Sequence, residues 1–279
     1  MVSCGNGPGG LPYHRFGSDG PRLFVIPGVM DALAWNEPSR LTARLLAHYY
    51  FRHLRSYDVW VLSRCPGLPD QSTPPELARQ YVTALEKLGA SHVLGISLGG
   101  AIATYLTATR PELVEKLVLV SCGSRLSETG RQHVEQWHDL ALNREYEKLH
   151  RTYAQAVYSG WRARFVSLQY RLIGPLLPTP ANSGDAARAC RALLAYDSRN
   201  LDDEIGAQTR IDVPTLLVSG QADELFSAET RQEYLSGLEW GKLVLLQGGG
   251  AIYDEKPRQV AQAIRSFLDE PEYAGRRNE

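Results

Sequence analysis

The feature that most constrains the fold is a five-residue turn at positions 95–99, which reads Gly-Ile-Ser-Leu-Gly. An apolar run at 92–96 leads into it, and a helical pattern rich in small residues, 98–109, follows it. Glycines two residues before and after the serine allow a very sharp strand-to-helix turn, because residues without a Cβ let neighbouring backbones pass. Such a turn lifts the Ser97 hydroxyl to the edge of a sheet and directs the Leu98 N–H to where an oxyanion would form. The turn therefore predicts a nucleophilic serine.

Short apolar runs alternate with helical patterns along the chain. The apolar runs predict strands at 22–26, 57–62, 92–96, 116–120, 213–219 and 242–246. Apolar residues at helical spacing predict helices at 75–88, 98–109, 228–238 and 257–268. Because strands covered by helices on both faces are almost continuously apolar, this alternation predicts an α/β fold with a mostly parallel, doubly wound sheet. The Gly/Pro-rich residues 1–20 are expected to be irregular, with a short strand near Tyr13.

One long segment interrupts the alternation of strands and helices. It carries helical patterns and no clear strand, with helices predicted at 128–142, 144–158, 161–177 and 185–196. Insertions after the carboxyl ends of strands lie over the active edge of such a sheet. We therefore expect a core domain made of residues 1–123 and 209–279, and an all-helical cap made of residues 124–208. The aromatic residues of this cap favour an apolar or amphipathic small molecule as substrate or ligand.

Three further motifs accompany the serine turn. Residues 26–29 read Ile-Pro-Gly-Val, residues 214–223 have the spacing P-x-L-x-x-x-G-x-x-D, and residues 248–257 run from Gly-Gly-Gly-Ala to Glu-Lys-Pro. On these motifs the chain resembles the α/β-hydrolase superfamily from about residue 11 to residue 268. The resemblance implies an α/β-hydrolase fold with Ser97 as nucleophile and Asp223 as triad acid. It also implies an oxyanion hole made by the backbone N–H groups of Val29 and Leu98.

The histidine expected by this resemblance is missing. In the superfamily it stands about seven residues before the proline of the last loop, here Pro257, so the position is Gly250, or Ala251 if the loop is one residue shorter. All seven histidines precede residue 151. A serine needs an adjacent base, and removing the histidine of a serine hydrolase lowers turnover roughly a millionfold. The chain as given is expected to bind a substrate and to turn it over poorly.

Three explanations for the missing base remain open. The histidine was replaced deliberately, to trap a ligand or to disable the enzyme. Alternatively, the protein is a natural non-catalytic pseudo-hydrolase that serves as a small-molecule receptor or an interaction scaffold. In the third explanation another group supplies the base, for example His133, His138 or Tyr253, although a phenol is a poor base near neutral pH.

The predicted reaction is hydrolysis of an ester, lactone, thioester or related acyl compound through an acyl-enzyme on Ser97. The other alternative is a cofactor-independent lyase or C–C hydrolase, because one fold supports many reactions. Two polar residues near the 26–29 loop receive structural roles: Asp31 is expected to cap the helix that follows, and Arg64 to be structural.

The composition argues against several other classes of protein. Thirty basic and thirty-one acidic residues give a net charge of −1, which offers no reason to expect nucleic acid or a membrane as partner. The four cysteines are far apart, and neither a metal-ligand motif nor a dinucleotide fingerprint is found, so no metal and no cofactor are expected. Because no apolar stretch suits a signal peptide or a membrane span, a cytoplasmic protein is predicted.

Overall fold

The computed structural model describes residues 2–34, 37–173, 184–201, 203 and 211–270 of the 279-residue chain. The strands in these ranges are Val2–Asn6 (β1), Pro12–Gly17 (β2), Arg22–Ile26 (β3), Asp58–Leu62 (β4), Ser91–Ile96 (β5), Val114–Val120 (β6), Thr215–Gly220 (β7) and Gly241–Leu246 (β8). They form one sheet in the order β1-β2-β4-β3-β5-β6-β7-β8. The pairings among β3 to β8 are parallel, and those of β1 with β2 and of β2 with β4 are antiparallel. The mostly parallel sheet is as predicted.

The N-terminal residues differ from the prediction. In place of an irregular segment with one short strand, residues 2–17 contain the two strands β1 and β2, with Val2 opposite Phe16. The inner strand β2 pairs with β4 and buries the side chains of His14 and Phe16. The short strand predicted near Tyr13 is β2, whereas β1 escaped prediction because the segment is short and glycine-rich and shows little apolar alternation. Strand β4, with which β2 pairs, lies about forty residues further along the chain.

Helices surround the sheet. They are Asp31–Ala34 (α1), Arg40–Leu45 (α2), Pro74–Leu88 (α3), Leu98–Thr109 (α4), Glu128–Leu142 (α5), Tyr146–Val157 (α6), Gly160–Ile173 (α7), Asp185–Leu194 (α8), Ala228–Ser236 (α9), Ile252–Glu255 (α10) and Pro257–Leu268 (α11). The helix α2 continues directly into a π-helix, Leu46–Tyr50. Three helices, α4, α5 and α11, begin and end at the predicted residues.

Two apolar clusters make up the core. Val93 belongs to one and Leu94 to the other, as expected for successive residues of a strand that is buried on both faces. Helices α3 and α4 contribute Tyr81 and Ile102 to the first cluster, and α11 contributes Ile264 to the second. The predicted α/β fold, with helices packed on both faces of the sheet, is confirmed.

Between β6 and β7 the described residues contain helices α5 to α8 and contribute no strand to the sheet. Helix α5 packs against α6 and α8, and α6 packs against α7. The last part of the helix predicted at 161–177 lies outside the described residues, and α7 ends at Ile173. The division into a core of residues 1–123 and 209–279 and a cap of residues 124–208 stays a prediction.

Candidate active site

Ser97 lies at the sharp turn between β5 and α4. Its backbone has φ 51° and ψ −116°, a strained conformation for a residue other than glycine. The turn closes because the neighbouring residues lack side chains: a Cβ on Gly95 would lie 2.5 Å from the Gly99 oxygen, and one on Gly99 would lie 1.9 Å from the Ile26 oxygen. The Ser97 N–H donates to the Val120 oxygen at 3.0 Å, which joins the turn to the end of β6. The serine is thus held above the first turn of α4, as the sequence motif predicts.

The loop after β3 lies beside this serine. A Cβ on Gly28 would be 3.5 Å from the Ser97 Cβ. The buried Arg64 guanidinium donates to the carbonyl oxygens of Pro27 at 3.0 Å and Gly28 at 2.8 Å. These two bonds fix the path of the loop that leads into Val29, while Leu98 begins α4 on the other side of the serine. Both N–H groups predicted for an oxyanion hole therefore belong to segments that flank Ser97.

Asp31 holds Arg64 in place. Its buried carboxylate accepts hydrogen bonds from the Ser63 hydroxyl at 2.8 Å and from the Arg64 backbone N–H at 3.1 Å, and lies 3.6 Å from the Arg64 guanidinium. Burial raises the pKa of Asp31, and the neighbouring Arg64 acts in the opposite direction. The sequence predicts that Asp31 caps the helix that follows it. In the structure its carboxylate bonds instead to the segment after β4. Arg64 has the structural role that was predicted.

Asp223 follows β7 and is only 5% exposed. Its Oδ1 accepts from the backbone N–H groups of Leu225 at 3.0 Å and Phe226 at 3.3 Å, and its Oδ2 accepts from the Ser219 hydroxyl at 3.4 Å. Burial raises the pKa of Asp223 to about 6, although the two backbone N–H groups and the nearby Arg231 favour the carboxylate. Hydrogen bonds to both oxygens therefore hold this side chain in a fixed orientation.

Gly250 faces the Asp223 carboxylate. A Cβ built on Gly250 would lie 3.1 Å from Asp223 Oδ1, and that distance is the shortest from this Cβ to a neighbouring heavy atom. The Gly250 carbonyl accepts a hydrogen bond from the Ser121 hydroxyl at 2.6 Å. Ser121 directly follows Val120, whose oxygen accepts from Ser97. The residues predicted for nucleophile, acid and base are thereby collected at the same end of the sheet, on the loops after β5, β7 and β8.

Glu255 anchors the loop that carries Gly250. Its buried carboxylate accepts from the Gly249 N–H at 2.9 Å and from the Ser159 N–H at 2.6 Å. The Ala251 N–H donates to the Val157 oxygen at 2.7 Å. The segment between α6 and α7 therefore contacts the loop directly. Glu255 appears in the sequence as part of the Glu-Lys-Pro motif, but no pattern in the sequence predicts that it bonds to Ser159, 96 residues away.

The side chains considered as alternative bases have other surroundings. Tyr253 is buried in the cluster that contains Phe51, with 5.4 Å between the ring centroids, and burial raises its pKa. His133 stacks on Trp137, and the Nδ1 of His138 lies 3.2 Å from an oxygen of Asp139. Among the described residues, none of these three makes a hydrogen bond to Ser97 or Asp223.

In the described part of the chain, no group of three or more His, Cys, Asp or Glu side chains is arranged to hold a metal ion. Likewise, no helix within it combines the length and the apolar character that are needed to cross a bilayer.

Comparison with known proteins agrees with the fold. The chain is 27% identical over 221 residues to the protein provisionally named carbamate hydrolase RutD of Pseudomonas syringae. That alignment covers 77% of this chain and 83% of the RutD protein. It is 30% identical over 188 residues to a pimeloyl-acyl-carrier-protein methyl ester esterase of Neisseria meningitidis. That alignment covers 63% of this chain and 69% of the esterase. The enol-lactonase of Burkholderia xenovorans has the same fold, with a TM-score of 0.74 and 16% sequence identity. The superposition covers 94% of this chain and 98% of the lactonase.

The family model of the alpha/beta hydrolases matches residues 23–263, which is most of the 279-residue chain. The match includes the serine turn, the Asp223 loop and the loop around Gly250. The chain therefore belongs to the alpha/beta hydrolase family and is a hydrolase by class.

Proposed function

We propose that the chain is an acyl hydrolase of this family in which Ser97 is the nucleophile, Asp223 the acid and position 250 the place of the missing base. The substrate class is an ester, lactone, thioester or related acyl compound. Relatives named as an ester esterase and a carbamate hydrolase support an acyl substrate. The observation that carries the proposal is the 3.1 Å distance from a Cβ on Gly250 to Asp223 Oδ1.

The proposed reaction begins with attack of the Ser97 oxygen on the substrate carbonyl carbon. The N–H groups of Leu98 and Val29 stabilise the oxyanion that forms. A base at position 250 would take the serine proton and give it to the leaving group, and the resulting acyl-enzyme would be released by water. Asp223 would orient that base and stabilise its charged form.

With glycine at position 250, no side chain in the described part of the chain accepts a hydrogen bond from the Ser97 hydroxyl. The Asp223 carboxylate is bonded instead to the Leu225 and Phe226 N–H groups and to the Ser219 hydroxyl. The chain as given is therefore proposed to bind acyl compounds and to hydrolyse them slowly.

The substrate proposed is an apolar or amphipathic small molecule bound between the sheet edge and the 124–208 cap. In support, the insertion contacts the loop that carries Gly250: the Ala251 N–H donates to the Val157 oxygen, and the Ser159 N–H donates to Glu255. The end of α6 therefore lies beside the loop that would carry the base, where the insertion can contact bound substrate.

Restoring the base is the direct test of this function. We expect Gly250→His to raise the rate of p-nitrophenyl butyrate hydrolysis by several orders of magnitude, because a serine hydrolase loses roughly a millionfold of turnover without its histidine. A histidine also meets no backbone restriction there, since Gly250 lacks the positive φ that would favour glycine. Steady-state rates of the two proteins give the comparison.

Two control variants show where any gain comes from. Ser97→Ala added to Gly250→His should abolish the gain, whereas Ala251→His should give little activity. If Gly250→His stays folded and gains nothing while a small acyl ligand still binds tightly, the proposed hydrolase is wrong and a non-catalytic binding protein is favoured.

A further inference from the structure

Two helices expose long apolar side chains along one face each. On α2 and its π-helix these are Leu41, Leu45 and Tyr49, and on α7 they are Trp161, Phe165, Leu168 and Leu172. Their exposed fractions lie between 46% and 70%. The spacing of three or four residues places each set on a single helix face. Large apolar side chains gathered in this way, rather than scattered singly, mark an interaction surface.

The charged residues of the same two segments are all arginines. Positions 40–50 contain two arginines and no Asp or Glu, and positions 160–173 contain three arginines and no Asp or Glu. Arg44 is exposed on the first segment, and Arg164 and Arg171 are exposed on the second. The net charge of −1 for the whole chain conceals this local excess.

A cavity of about 730 Å³ is lined by residues of both helices. Leu45 and Tyr49 line it from α2 and its π-helix, and Arg162 lines it from α7. The one carboxylate among the described lining residues is Asp254, which accepts a hydrogen bond from the Tyr158 hydroxyl at 2.7 Å. The charge that this surface presents is therefore positive.

We propose that this surface, formed by α2 with its π-helix and by α7, binds an anionic lipid bilayer. Helices that combine arginines with exposed Trp, Phe and Leu lie in the plane of a bilayer interface, with the apolar side chains among the acyl chains and the cations among the headgroups. Each cation near an anionic leaflet contributes about 1 kcal/mol. A neutral or basic partner would leave the arginines uncompensated, so charge complementarity favours the anionic surface.

The lipid-binding surface adjoins the loop that carries Gly250. Tyr158, which lines the cavity, directly follows Val157, whose carbonyl accepts from Ala251. The protein would thus lie on the bilayer, without crossing it, and hold its candidate site at the lipid surface. This inference does not depend on catalysis, and Ser97→Ala should bind lipid as well as the unmodified chain.

Flotation of the full chain with lipid vesicles tests the inference. We expect binding to vesicles that contain phosphatidylglycerol together with phosphatidylcholine, and little binding to phosphatidylcholine alone. Raising the salt concentration should weaken the binding, because it screens exposed charges. Arg44→Gln with Arg164→Gln should lower the partition coefficient about fivefold for each charge removed, and Trp161→Ala with Phe165→Ala should also lower it.

Matched controls change exposed residues elsewhere. Arg79→Gln on α3 and Leu142→Ala on α5 alter side chains that are comparably exposed, and should leave the partition unchanged. Circular dichroism would establish that every variant is folded. The inference is overturned if the chain binds neither kind of vesicle, if it binds both equally, or if the control variants weaken binding as much as the test variants. It is also overturned if Trp161→Ala with Phe165→Ala only converts a dimer to a monomer in light scattering, which would assign the surface to a second copy.

Discussion

At the scale of single residues, Asp223 links the chemistry of the site to the stability of the fold. Burial raises its pKa to about 6 from an unfolded value near 3.8. Between these two values the folded state binds a proton that the unfolded state releases, so this residue's contribution to the free energy of unfolding falls as the pH rises. A buried carboxylate of this kind is costly to keep ionised, which is typical of a residue retained for function.

Asp223→Asn should remove that pH dependence. The amide oxygen can still accept from Leu225 and Phe226, and the side chain no longer titrates. We expect the free energy of unfolding of the variant, measured relative to that of the unmodified chain, to grow by about 2 kcal/mol between pH 4 and pH 7. Urea titrations at both pH values measure it. The exposed Asp212→Asn serves as control, and an Asp223→Asn difference that is the same at both pH values would contradict the assigned pKa.

At the scale of secondary-structure elements, the close approach of α4 to β3 makes the serine turn possible. Residue 99 is the point of closest approach, because a Cβ there would overlap the Ile26 carbonyl, and Ile26 leads into the loop beside Ser97. Overlap with backbone cannot be relieved by a side-chain rotation. The geometry of the proposed nucleophile and of the proposed oxyanion loop therefore depends on glycine at this position.

Gly99→Ala is expected to destabilise the protein by about 3 kcal/mol or more, since either α4 or the loop after β3 must shift. Gly237→Ala provides the comparison. Gly237 directly follows α9 with φ −85°, and a Cβ there would have no neighbour closer than 3.5 Å. That control should change stability by less than about 0.5 kcal/mol. Thermal melts of the two variants measure the difference, and similar melting temperatures would show that the turn tolerates a side chain.

At the scale of the whole molecule, local periodicity predicts most of the sheet and of its covering helices. The prediction misses β1 and α2 with its π-helix, because the first is short and lies in a glycine-rich segment and the second has many exposed apolar residues. In the site, the motifs locate Ser97, Asp223 and Gly250. They do not locate the bonds from Arg64 to Pro27 and Gly28, because those contacts join residues about 37 positions apart through the tertiary fold.

We propose that Ser97 is a competent nucleophile which lacks only a base at position 250. Intact-mass measurement of Ser97 labelling by a fluorophosphonate is the sharpest test of this proposal, because the reagent reports on the serine whatever the substrate is. We expect very slow labelling of the unmodified chain, rapid labelling of Gly250→His, and none when Ser97→Ala is added. Equally rapid labelling of the chain as given and of Gly250→His would contradict it, since the base would then come from another residue.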